Sequence, residues 1–298
     1  MKANRRFTNS FQDFLLVVPA LTCLVIFTYY PVMELIRIGF TDWNLIRDNY
    51  HYVGLRNWTW LFKGSGARYL ASSLRITSIY TAGEITIVLG GGILFALLFN
   101  KIRRGYSAMR VIIFMPRYVA TSSAAVIFCW LLDDRHGILN YFLQTLGLPA
   151  VNWLLEPTPA LLSILMLTGW KAVGYGMMIY LSAMRGISRD YYEAAELDGA
   201  SSFQRFFRIT VPLLSPTTLF LLVTTFISSM KVFQSVDVLT GGGPFRTTEV
   251  IVYQVYRYAM VDFRMDRAAV VSMFLFVLLL LVTALTMRFS QRSVHYES

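Results

Sequence analysis

Several side chains able to hydrogen-bond or carry charge sit inside stretches that are otherwise apolar. Glu84 falls in the middle of one such run, and Lys171 follows Trp170 in another. Lys231, Gln234 and Asp237 recur at i, i+3 and i+6 in a third, which puts them on roughly one face of a helix. A second grouping, YYEAAELDGASSFQRFFRITVP at residues 191–212, separates two apolar runs. Neither grouping is a catalytic set. His51, His136 and His295 are scattered and form no HExxH-like pair, and there is no Ser/His or paired-Asp arrangement. Cys23 and Cys129 lie within apolar runs and read as small hydrophobes, with neither a disulfide framework nor metal-ligand spacing. The triplets Gly90–Gly92 and Gly241–Gly243 lack the Lys-Ser/Thr that completes a phosphate-binding loop. The first reads as a helix-packing surface and the second, with Pro244, as a rigid outer turn. The chemistry within reach is recognition: of a polar solute by groups inside the runs, and of another protein by the charged insert.

The elements that must position these groups are membrane spans. Of 298 residues 56% are hydrophobic and only 15% charged, against about 25% charged in a soluble domain. The mean hydropathy is +0.53. Apolar runs fall at residues 14–40, 71–99, 109–132, 160–184, 214–237 and 268–288. Each meets the length of about 20 residues needed to cross a bilayer as a helix. The first is too long for a signal-peptide core and lacks a small-residue cleavage site, so it reads as a retained span. The expected class is therefore an all-α membrane protein with six transmembrane helices and both ends on one side. Lys and Arg are more frequent on the side of the N-terminus, most compactly in KIRRGYSAMR at 101–110, which places both termini in the cytoplasm. The net charge of +10 fits loop anchoring at a lipid bilayer. Nucleic acid is not an expected partner, because no basic stretch interleaves aromatics in a soluble context. The expected organisation is a cytoplasmic tail at 1–13, one transmembrane domain at 14–288 with a cytoplasmic loop at 185–213, and a cytoplasmic tail at 289–298.

The loop reads as two short helices around a bend. Ser188 caps the first, and Asp190 and Glu193 lie where the helix dipole favours acids. Gly199 suits a C-terminal cap, and Ser201 or Ser202 can start the second helix. Phe203, Phe206 and Phe207 form an apolar stripe, Arg205 and Arg208 follow, and Pro212 discourages a straight run into the next span. A plain amphipathic surface loop accounts for the charges. It does not account for the small residues Ala194, Ala195, Gly199 and Ala200 at the bend, which would let another backbone come close.

The spacing Glu193-Ala194-Ala195, three residues, Gly199, nine residues, Ile209-Thr210-Val211-Pro212 resembles the EAA loop of permease subunits of binding-protein-dependent ABC importers. Val211 stands where that family has leucine, an apolar-for-apolar change. LTGGGP at 239–244, FMPRYVATSSAAVIFCW at 114–130 and TGWKAVGYGMMIYLSAMRGI at 168–187 resemble the carbohydrate-uptake branch, in particular the maltose-type first permease. The resemblance implies the six-helix core of a type I importer in the bacterial cytoplasmic membrane. It implies that the loop is a coupling helix, with Glu193, Ala194, Ala195, Asp198, Gly199, Ala200, Ile209 and Pro212 as the ATPase-coupling residues. It implies as partners a second permease subunit, two ABC ATPase subunits and an extracytoplasmic solute-binding protein. No cofactor is expected on this chain, with ATP and Mg on the ATPase partners.

Sugar sites combine aromatic stacking surfaces with hydrogen-bonding side chains. The fourth span offers Trp170, Tyr175 and Tyr180, and the fifth offers Thr225, Ser229, Lys231, Phe233 and Gln234. The same two spans carry solute contacts in the maltose-type family, so the resemblance points to these residues as a substrate pathway. Helix packing and interfacial anchoring are the plainer account of any one of them. An ion- or proton-coupled secondary carrier using Glu84 and Asp237 is the alternative function. Glu34 and Arg37, at i and i+3, are expected to pair with each other.

Overall fold

In the computed structural model, residues 14–46, 49–100 and 105–293 are described. The tail at 1–13, the last residues of the tail at 289–298, and Lys101, Arg103 and Arg104 of the basic loop at 101–110 lie outside them. The described chain is helical, and its one β pairing is a bridge between Thr41 and Tyr52.

Four helices are long and apolar enough to span a bilayer alone: α1 (Phe14–Gly39), α3 (Ser65–Phe99), α7 (Pro157–Gly186) and α13 (Met265–Ser293, apolar through Thr286). A short α2 (Arg56–Lys63) precedes α3. Two further spans are bent pairs. α4 (Tyr106–Tyr118) meets α5 (Thr121–Leu131) at 103°, and α9 (Ser202–Leu213) meets α10 (Ser215–Met230) at 63°. Counting each pair once gives the six spans expected. α6 (Ile138–Thr145), α8 (Arg189–Leu197), α11 (Gln234–Leu239) and α12 (residues 251–261) complete the chain.

Two expectations need correction. The run at 109–132 is not one straight helix, because Val119 and Ala120 adopt extended ψ angles of 132° and 131° and the helical hydrogen-bond ladder stops there. The run at 214–237 is not continuous either. α10 ends at Met230, Phe233 sits at φ −140°, ψ −64°, and α11 starts afresh. Lys231, Gln234 and Asp237 therefore do not share the face of one helix.

The chain divides into two compact units. One comprises the described residues up to Arg68 with Val255–Leu275. Its polar groups are paired near the end of α1. Arg37 forms an ion pair with Glu34 and donates to the Tyr50 hydroxyl at 2.9 Å. Buried Asn57 donates to the carbonyls of Gly39 and Thr41 at 3.0 and 2.7 Å, satisfying backbone acceptors that the end of α1 leaves open.

The other unit comprises Tyr69–Gln254 and the chain from Phe276 onward, with α7 at its centre. A β-carbon on Gly176 would lie 2.4 Å from the Val88 carbonyl oxygen, and one on Gly92 would lie 2.9 Å from the Gly176 backbone. Without side chains at these two positions the α3 and α7 backbones meet directly, the small-residue packing typical of membrane helices. Gly174 does the same for α4, since its β-carbon would fall 2.2 Å from the Ile113 carbonyl oxygen. Around these contacts are two apolar cores. Tyr80, Ile164, Leu167 and Val236 anchor one, and Met177, Tyr180, Leu214 and Leu221 the other.

Candidate functional site

The loop between α7 and α9 folds from its own sequence. The Ser188 hydroxyl accepts the Asp190 N–H at 3.3 Å and starts α8. Gly199 takes φ +76°, and the N–H groups of Gly199 and Ala200 close onto the carbonyls of Glu196 and Ala195 at 3.0 and 2.9 Å. This is a helix C-terminus ended by a left-handed residue, a conformation that glycine adopts at least cost. Ser201 and Gln204 then form a reciprocal capping box that starts α9. Arg205 reaches back across the bend to Glu196 at 3.0 Å, and the hydroxyls of Tyr192 and Thr210 meet at 2.9 Å. The two helices are thus tied as one piece.

The outer surface of that piece is open. Glu193, Ala194, Asp198 and Gly199 are exposed, Ala195, Ala200 and Ile209 are half-buried, and Pro212 is exposed. Nothing lies within 4 Å of a β-carbon built on Gly199, while Leu197 is 90% exposed and Phe203 72%. Small residues beside two uncovered apolar side chains leave room for another chain to lie against the bend.

The second feature is a cavity of about 480 Å³ inside the larger unit. α3 supplies Tyr80 and Glu84, the end of α4 Arg117, and the start of α5 Thr121. α7 supplies Thr168, Lys171 and Ala172. Ser228 and Ser229 come from α10, and residues 231–235 come from the break and the start of α11. The Glu84 carboxylate is buried and accepts the Thr168 hydroxyl at 2.6 Å. Its position is accounted for by hydrogen bonding within the fold. The Lys171 ammonium donates to the Val119 carbonyl at 2.7 Å and the Thr121 hydroxyl at 2.6 Å. The Arg117 guanidinium carbon lies 4.1 Å from the Tyr175 ring centroid. Lys231 is exposed and has no acidic partner among the described residues.

Of the pathway residues expected from sequence, Ser229, Lys231, Phe233 and Gln234 line the cavity. The last three lie at the break after Met230 and the start of α11. Trp170, Tyr175, Tyr180 and Thr225 lie outside its lining. Tyr180 is buried and donates to Thr218 Oγ1 at 3.1 Å, while Thr225 is buried one turn before Ser229. Tyr175 stands behind Arg117, and Trp170 packs against Phe128 at 5.6 Å. Arg117, Thr121, Thr168 and Tyr80 were not anticipated as lining residues. The signal for Arg117 was present: it is a cation inside the apolar run at 109–132, seven residues on from Arg110 at its start, where a charge must face a cavity or a partner.

Residues 87–295 match the family model described as "Binding-protein-dependent transport system inner membrane component". The chain is 31% identical over 293 residues to the sn-glycerol-3-phosphate transport system permease protein UgpA of Agrobacterium fabrum (strain C58 / ATCC 33970), covering 97% of this chain and 98% of the relative. It is also 31% identical over 285 residues to the "Probable ABC transporter permease protein YurN" of Bacillus subtilis (strain 168), covering 94% and 96%. Its fold is similar to that of a bacterial ABC transporter involved in the import of the acidic polysaccharide alginate, with TM-score 0.85, 23% identity, and 99% of this chain and 100% of the other covered. On the family match and the near full-length identity, the chain belongs to the inner membrane components of binding-protein-dependent transport systems.

Proposed function

We propose that this chain is the permease subunit of an ABC importer that moves a sugar or related polyhydroxylated solute inward by ATP-driven alternating access. The observation that carries the reading is the loop at 188–213. Two capped helices are tied by Arg205–Glu196 around a left-handed Gly199, with an open small-residue surface. A rigid piece of this kind, joined to α7 on one side and through α9 to α10 on the other, passes a push from a docked ATPase to the helices that line the cavity. Glu193, Ala194, Ala195, Asp198, Gly199 and Ala200 form the contact. Ile209 and Pro212 lie where α9 runs into the bend before α10.

The domain at 14–288 works with a second permease subunit, two ATPase subunits and an extracytoplasmic binding protein. It lies in the bacterial cytoplasmic membrane with both termini cytoplasmic. ATP and Mg bind to the ATPase partners, and no cofactor binds to this chain. In the proposed cycle, ATP-driven closure of the ATPases moves the loop and opens the cavity to the binding protein, and hydrolysis resets it. The hydroxyls of Ser228 and Ser229, the Gln234 amide and the Phe233 ring are suited to hydrogen-bond and stack against a polyhydroxylated solute.

The test is purification of the tagged chain from its native membrane in mild detergent, with mass spectrometry of what accompanies it. An ABC ATPase and a second six-span permease in near-equal amounts are the expected result. A chain that comes alone, or only with itself, overturns the reading.

A further inference from the structure

Resting on the importer reading, we propose that the cavity selects an anionic solute: a polyhydroxylated molecule bearing a phosphate monoester or a carboxylate. Arg117, Lys171 and Lys231 line one cavity of about 480 Å³, a volume within the range of about 300–1,000 Å³ common for small-molecule sites. They come from three places in the chain, the end of α4, the middle of α7 and the break after α10. Their convergence is therefore a product of the fold.

The only acid on the lining is Glu84, and its carboxylate is already engaged by Thr168. Asp237, one turn into α11, is not on the lining. Three cations face one carboxylate, which leaves excess positive charge where a solute would sit. Lys171 spends two of its three N–H donors on Val119 and Thr121, so it contributes charge and at most one further donor. Arg117 is held against Tyr175, which orders the guanidinium fork before anything binds. Lys231 is the uncommitted cation, exposed at a helix break with no acidic partner among the described residues. A neutral sugar would leave these charges uncompensated, whereas an anion would be attracted strongly in a site partly shielded from water.

The test uses the whole importer, both permeases with the ATPases and binding protein, in proteoliposomes containing ATP. The probes are radiolabelled sn-glycerol 3-phosphate, glucuronate, glycerol and maltose. The expected result is ATP-dependent uptake of an anionic probe in clear preference to its neutral counterpart. The first arm identifies a phosphate and the second a carboxylate. Lys231→Gln is expected to cut anionic uptake about tenfold, which corresponds to about 1.4 kcal/mol, and Lys231→Arg to restore most of it. Lys231 is exposed and unpaired, so its replacement leaves folding intact. Arg117→Gln should lower the ratio of anionic to neutral uptake in the same direction. Neutral probes carried as well as anionic ones, or equal slowing of both by Lys231→Gln, would overturn the proposal while leaving the importer reading standing. No uptake of any of the four probes by an assembly that contains the ATPases overturns the proposal alone. An assembly that contains no ATPase overturns both.

Discussion

Lys171, in the middle of α7, hydrogen-bonds the carbonyl of Val119 at 2.7 Å, 52 residues away, at the point where α4 and α5 turn through 103°. The same ammonium holds the Thr121 hydroxyl on the other side of the break. A bend of this size frees backbone carbonyls that cannot find water inside a membrane protein, and a cation from a neighbouring helix satisfies one of them. Lys171→Met keeps length and apolar bulk but leaves the Val119 carbonyl unsatisfied. It should cost about 1–3 kcal/mol of stability, read as a lower midpoint in thermal unfolding of the detergent-purified assembly. An unchanged midpoint would show that the bend does not depend on this contact.

The α3–α7 contact predicts a contrast within the glycine-rich surface. Gly176→Ala would drive a β-carbon to 2.4 Å from the Val88 carbonyl oxygen, a backbone atom that cannot swing aside. Overpacking there should cost about 1–3 kcal/mol and reduce the amount of folded protein in the membrane. Gly90→Ala meets nothing within 4 Å and should be tolerated. Quantifying monodisperse protein after gel filtration separates the two, and equal yields would remove the packing role from Gly176.

At the loop, Gly199→Asp should uncouple ATP hydrolysis from uptake without removing the chain from the membrane. The φ of +76° penalises a side chain by about 1–2 kcal/mol, and the new carboxylate would project into the open space where a partner is proposed to sit. Gly199→Asn tolerates the left-handed conformation better and adds no charge, so it should retain more coupling. ATPase activity measured beside solute uptake gives the readout, and normal uptake by Gly199→Asp would remove the bend from the coupling path.

The turn after α5 carries a pH dependence. The Asp133 carboxylate accepts the His136 N–H at 2.7 Å and the Arg135 N–H at 3.1 Å. These backbone donors, the first above all, hold its pKa below the ordinary 3.8. A depressed carboxylate contributes order that is fully present above its unfolded pKa and is lost as pH falls through the lower folded value. Amide exchange at His136, corrected for intrinsic rate, should therefore accelerate only below about pH 4. Asp133→Asn should weaken protection at neutral pH and abolish that dependence.

The parts of this protein that were legible in its sequence are governed by neighbours along the chain. Six runs of sufficient apolar length account for six spans, because transfer of a helix into hydrocarbon depends on its own composition. The caps at Ser188, Gly199 and Ser201 followed from local backbone chemistry, as did the Glu34–Arg37 pair. The glycines at 90–92 marked a packing face, although Gly92 is the one whose backbone meets α7.

Tertiary structure alone decided how the chain travels within its spans. Apolar content does not report that one span turns through 103° or that another breaks at Lys231–Phe233, since a bent and a straight segment can have the same hydropathy. For the same reason a straight-helix reading put Asp237 on roughly one face with Lys231. Arg117, Lys171 and Lys231 are far apart in sequence, and what brings them to one cavity is contact between segments distant along the chain, such as the Gly174 backbone against that of Ile113 and the Lys171 ammonium on the Val119 carbonyl. The sequence by itself determined which segments enter the membrane and where the loop between α7 and α9 bends. The charge of the cavity was decided by long-range packing, because only packing sets which polar side chains share a space that water and solute can reach.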